Sequence, residues 1–229
     1  ATDESGAAML DIIMDKAGQK GSGRWTVIEA QHLGAPVPVI EAAVAARNMS
    51  ALKAIRAKGE KAFGAAPSPL SDAGLTDSDL EQALILGKVM CYAQGFALLD
   101  AACAEFDWKL PMPEIARVWR EGCIIRSSML NDMADALTQA PHDNLMFAPY
   151  FLELIRQNEP ALRKVVTVAI GAGLQVPALS AALSYFDMMR TERSTANMIQ
   201  AQRDFFGAHG FERTDKAGSD FHGPWGGQL

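Results

Sequence analysis

Apolar positions recur at helical spacing along most of the chain, and the alternation of a half-buried strand is scarce, so the pattern predicts an all-α fold. Met9, Ile12, Ile13 and Lys16 outline a short first helix ended by Gly18. A second begins near Thr26, and a long third runs from Pro38 through Val44, Leu52 and Ile55 toward Gly59. Residues 65–79, AAPSPLSDAGLTDSD, have the composition of a connector. Ser78 and Glu81 are spaced as a capping box for the helix carrying LEQALILGKVMCYAQGFALLDAA. Pro113 and Pro149 sit as first-turn prolines ahead of the amphipathic runs EIARVWREGCIIRSSML and YFLELIRQN, and Pro160 is expected to start a further helix. Val176-Pro177 opens a stretch that reads as one very long helix to His209.

One internal echo stands out. VPVIEAAVAAR at 37–47 lines up with VPALSAALSYF at 176–186, which suggests a duplicated unit too widely spaced for a solenoid. The expected organisation is therefore a helical domain over 1–209, built of two pseudo-repeated halves, with an irregular C-terminal tail over 210–229.

Composition narrows the function classes. A formal net charge of -6 disfavours a general nucleic-acid coat, so any bound anion must be held by local cations. No apolar run approaches the roughly 20 residues of a membrane span. Cys91, Cys103 and Cys123 form no C-x-x-C pair and fit structural thiols of a reducing cytosol. No charged-then-apolar leader is visible at the start.

Candidate chemistry concentrates in two places. In KGSGRW, residues 20–25, glycines let the backbone approach a ligand while Lys20 supplies a charge; the same string also reads as a plain helix-to-helix turn. It lacks the order of a nucleotide P-loop or of a dinucleotide fingerprint. Ile40, Val44 and Arg47 stand at i, i+4 and i+7, which places a guanidinium on an apolar face and demands a partner. That partner is a ligand anion, or internally Glu41, unless the side chain snorkels to water. Near the end, Ile199, Arg203 and Phe206 repeat the spacing, with Gly207 loosening the helix beside His209. Arginine suits bidentate capture of phosphate or carboxylate, and His209 reads either as a second donor or as a helix cap.

Elsewhere the signals are bland. Glu114, Arg117, Arg120 and Glu121 form a solvated or ion-paired face, as do Arg190, Glu192 and Arg193. His32, His142 and His209 lie apart from ligand-spaced carboxylates or thiols, so no metal is expected.

Taken together, KGSGRW, VPVIEAAVAAR, GKVMCYAQGFALL, EIARVWREGCIIRSSML, VPALSAALSYFDMMRTERSTANMIQAQRDFFGAH, and FERTD with FHGPW resemble the C-terminal part of the 6-phosphogluconate dehydrogenases. The resemblance spans nearly the whole chain. It implies oxidative decarboxylation of 6-phospho-D-gluconate to D-ribulose 5-phosphate and CO2 with reduction of NADP, in the pentose phosphate pathway, without a metal, in a cytoplasmic homodimer. By the same resemblance Lys20 and Ser22 contact the sugar phosphate and Arg47 grips the phosphate, while Arg203 and His209 cross from the partner subunit to complete the site. The Rossmann NADP domain, the proton-transferring lysine and the acid glutamate are expected upstream, so this stretch alone is expected to be inactive. Ser22 and Arg24 replace a commoner threonine and lysine, and Gly223-Pro224 departs from the usual tail. The alternative is a stand-alone, non-catalytic helical module for dimerisation or phosphosugar sensing.

Overall fold

A computed structural model describes residues 1–65 and 74–225, so the central part of the expected 65–79 connector lies outside the described residues. Among the described residues ten α-helices and one 3-10 turn follow in order: α1 (Met9–Ile12), α2 (Ser22–His32), α3 (Pro38–Ser50), α4 (Lys53–Phe63), α5 (Asp77–Phe106), α6 (Met112–Gly122), α7 (Met129–Gln139), the 3-10 turn Leu145–Phe147, α8 (Pro149–Gly171), α9 (Pro177–Met189) and α10 (Ala196–Gly207). The all-α expectation is met. Two compact units result, residues 1–186 and 187–229.

In the first unit α5 packs along α8, and α6 packs against α7. Apolar residues surround α5 on all sides, the signature of a helix built to be buried. Leu86, Val89, Met90 and Phe96 of α5 meet Leu130 and Met133 of α7, Phe151, Ile155 and Leu162 of α8, and Leu183 of α9 in one core. By length and composition alone α5 could also cross a membrane, contrary to the sequence expectation, but half of its most apolar window is buried inside the protein. A smaller cluster of Ala30, Ala35, Val37 and Leu98 seats α2 and α3 on α5. There the buried Gln94 side chain accepts from the backbone N–H of Val39 at 3.0 Å, satisfying a donor in the first turn of α3.

Several helix ends differ from expectation. The capping box belongs to Thr76 and Asp79, whose side chains each bond the other's backbone N–H. Asp79 also takes Lys164 of α8 at 2.8 Å, and that hydrogen bond, with those from Thr76, pulls its pKa down to about 2. Pro160 starts no helix; it lies inside α8. Interior proline costs a helix about 3 kcal/mol, a loss that the burial of Phe151, Ile155, Leu162, Val165 and Val166 along one face offsets. The run after Pro113 breaks at Gly122, and the buried Tyr92 hydroxyl of α5 donates to the Ile125 carbonyl in the link between α6 and α7. The third helix likewise divides at Ala51-Leu52, giving α3 and α4.

In the second unit the expected single helix to His209 stops at Met189. The Thr191 hydroxyl donates back to the Asp187 carbonyl, and the chain restarts at Ala196. Beyond α10 the tail closes through paired backbone bonds between Phe211 and Phe221, of 2.9 and 3.1 Å.

Candidate substrate-binding site

The first cluster is assembled by the approach to α2. Rather than continuing as helix to Gly18, the chain leaves α1 at Ile12 and runs irregularly across the junction of α3 and α4. Polar side chains from that junction hold it there. Asp15 pairs with Lys53 and with Arg56, the latter at 2.7 Å; these two cations hold its carboxyl well below the usual range. Ala17 N–H donates to Ser50 Oγ at 2.9 Å, Arg47 donates to the Gly18 carbonyl, and the Gln19 amide donates to Asn48.

The KGSGRW stretch is then a helix start, not a free loop. α2 begins at Ser22, ahead of the expected Thr26, because Gly21 takes a φ of 126°, open only to glycine, and turns the chain into the helix. Its N-terminus has no side-chain cap, so the first-turn amides and the positive end of the helix dipole suit an anion. The Trp25 ring folds back over Gly21, where a Cβ would lie 3.1 Å from Cζ2. On the other side Gly23 abuts Val44, one turn before Arg47.

Lys20, Ser22 and Arg47 are thus brought to one surface, and all three are exposed. This corrects the buried guanidinium expected from the i, i+4, i+7 spacing. Arg47 projects to water and bonds a backbone carbonyl; Glu41, the internal partner considered, instead accepts from the Gln31 amide. Val39, in the first turn, is the buried residue of α3, and the last turn with Arg47, Asn48 and Met49 is uncovered.

Arg203 and His209 belong to the second unit. Arg203 is exposed and donates to Gln200 Oε1 at 3.0 Å, and its stripe companions Ile199 and Phe206 are 61% and 75% exposed. α10 ends at Gly207, and Ala208 takes a left-handed φ of 51°. The exposed His209 imidazole rests against Gly207, where a Cβ would stand 2.8 Å from Nε2.

Sequence reasoning missed the residue that organises this unit. Asp204, 3% exposed, accepts from Gly210 N–H (2.9 Å), Gly223 N–H (2.9 Å), Trp225 Nε1 (2.8 Å) and His222 Nδ1 (2.6 Å). These donors, the Gly223 amide foremost, hold its carboxyl well below the ordinary range, and the carboxylate in turn pushes the His222 imidazole up. Gly223 is the residue that lets the indole fold back, since any Cβ there would enter the Trp225 ring. An acid inside QAQRDFF followed by a His and a Trp in the tail was the available signal.

The thiols are free; Cys91 and Cys103 pack at the core edge, and burial pushes the Cys91 thiol up. Among the described residues no group of His, Cys, Asp and Glu is placed to hold a metal. None of the named helices is joined to a strand, so there is no strand–glycine-turn–helix unit to cradle a dinucleotide pyrophosphate among them.

The family model described as 6-phosphogluconate dehydrogenase, C-terminal domain, matches residues 1–225. A 6-phosphogluconate dehydrogenase (decarboxylating) of Lactococcus lactis is 44% identical over 225 residues, covering 97% of this chain and 48% of the relative. An NAD(+)-dependent decarboxylating relative from Bacillus subtilis is 42% identical over 229 residues, with the same coverage of 97% and 48%. A solved structure of the Plasmodium falciparum 6-phosphogluconate dehydrogenase superposes with a TM-score of 0.89 at 39% identity, over 97% of this chain and 49% of that one; that enzyme is described apo, with its cofactor NADP+ and with its substrate 6-phosphogluconate. The chain spans about half the length of the curated relatives it matches.

Proposed function

The chain belongs to the 6-phosphogluconate dehydrogenase family as its C-terminal domain, and from that membership we propose that it binds 6-phosphogluconate and supports its oxidative decarboxylation to ribulose 5-phosphate and CO2. Lys20 and Ser22 contact the sugar phosphate, and the N-terminus of α2 and the Arg47 guanidinium neutralise its charge. Arg203 and His209 from a second copy complete the site in a homodimer. NADP is the proposed electron acceptor in a cytoplasmic enzyme, and the dinucleotide, the lysine base and the glutamate acid are supplied by parts of the protein other than these residues. Binding and orientation are what this region contributes, lowering the barrier through positioning and charge neutralisation.

One observation carries the reading: three side chains fasten residues 17–19 to the end of α3, so that Lys20, Ser22 and Arg47 flank an uncapped helix N-terminus. Calorimetry on the full-length protein tests it. Arg47→Ala and Arg203→Ala should each weaken 6-phosphogluconate binding about ten- to a hundredfold, as for loss of a charged hydrogen bond. Unchanged affinity in both would sink the site. Mixing the two weakened variants should recover tight binding in dimers carrying one intact site; no recovery would remove the cross-subunit assignment.

A further inference from the structure

Resting on that reading of Arg203 and His209, the structure assigns Gln200 as a positioning residue that presets both groups before substrate arrives. Its two amide atoms point to different partners: Oε1 accepts from Arg203 Nη1 at 3.0 Å, and Nε2 donates to the Gly210 carbonyl. The Gly210 N–H is held in turn by the buried Asp204 carboxylate at 2.9 Å, one helical turn along from Gln200. Both polar atoms of Gly210 are therefore gripped from α10, and His209 lies between that grip and the left-handed Ala208, whose N–H returns to the Asp204 carbonyl at 2.8 Å.

The chemistry of the amide matters. Arginine carries as much rotamer entropy as any side chain, and a free guanidinium must surrender it when a ligand binds. Gln200 restrains Arg203 before binding. Because the amide is neutral, it does so without cancelling the positive charge that an anionic substrate needs, which a glutamate at this i, i+3 position would do. A single half-buried side chain thereby couples the cation to the turn carrying the imidazole.

The test is a kinetic double-mutant cycle on the full-length enzyme with Gln200→Met, a change that keeps side-chain length and helix propensity, and Gln200→Leu as a second substitution should the first fold poorly. The KM for 6-phosphogluconate should rise about tenfold, with kcat and the dinucleotide KM essentially unmoved in a protein that remains folded. In an Arg203→Ala background the same substitution should raise KM clearly less than in the wild type, because one of the two groups it acts through is gone and only the restraint on the His209 turn remains. An unaltered KM, a loss confined to kcat, or an effect that persists in full without Arg203 overturns the assignment. Should Arg203→Ala alone leave KM unchanged, the substrate role of Arg203 fails first, and this assignment with it.

Discussion

Gly23 presses on Val44: a Cβ built on the glycine would stand 3.2 Å from the valine Cγ2. That approach sets how near the start of α2 lies to the helix carrying Arg47. Valine in a helix keeps essentially one χ1 rotamer, so it has little freedom to turn aside. Gly23→Ala should leave global stability within about 1 kcal/mol, since alanine's helix propensity offsets the crowding. The contact must nevertheless widen by a few tenths of an ångström. A rise in the KM for 6-phosphogluconate without a matching change in urea midpoint is the expected result, and an unaffected KM would show that the spacing is not functional.

Arg47 separates stability from binding more sharply. An arginine buried as its spacing suggested would cost several kcal/mol to strip of its partner. Exposed and bonded to a backbone carbonyl, it should cost about 1 kcal/mol or less on Arg47→Ala. Arg47→Lys keeps the charge as a point donor but loses the forked geometry, so substrate affinity should fall to a level between wild type and alanine. Chemical denaturation and calorimetry on the same three proteins check both parts.

How legible the fold was depended on whether the deciding interaction was local. First-turn prolines at 113 and 149, the apolar length of α5 and the glycine-rich tail are local signals, and the structure follows them. Pro160 misled because an interior proline and a first-turn proline look alike until the packing of α8 is known. Met9–Lys16 has helical spacing, but Asp15 is captured by Lys53 and Arg56 from far along the chain, and periodicity carries no trace of such a pairing. The KGSGRW stretch was legible as a place of interest through its residue types. That it starts a helix rested on the φ of Gly21. Asp204 is one of many acids in the chain, and only the return of His222 and Trp225 shows it to be the centre of its unit.

Gly87 offers a test of the core. A Cβ there would stand 2.8 Å from Leu179 Cδ2, the far end of a flexible side chain. Gly87→Ala should be close to neutral, since about 1 kcal/mol of helix propensity balances a small rotation of Leu179. Gly87→Val adds bulk that this rotation does not accommodate and should cost about 1–3 kcal/mol. Urea unfolding of the two variants would distinguish this close approach of α5 and α9 from a loosely filled core, in which both would behave alike.

The Asp204–His222 pair gives the tail a pH window with a definite sign. The Asp204 carboxyl is depressed from 3.8, so its share of the stability is present above that value and lost as pH falls through the lowered one. The His222 imidazole is raised from 6.5, so its share is complete below 6.5 and is lost as pH rises through the higher folded value. The facing groups agree with that sign: His222 Nδ1 lies 2.6 Å from Asp204 and Nε2 lies 3.5 Å from Asp220, both carboxylates that favour the imidazolium. Hydrogen-exchange protection of the Gly210 and Gly223 amides, corrected for intrinsic rates, should therefore be greatest between about pH 4 and 6.5 and decline toward pH 8. His222→Gln keeps a donor without titrating and should flatten the alkaline side while sparing the acid limb. Protection that instead increased above pH 7, or declined equally in the glutamine variant, would mean that the imidazolium does not hold the tail.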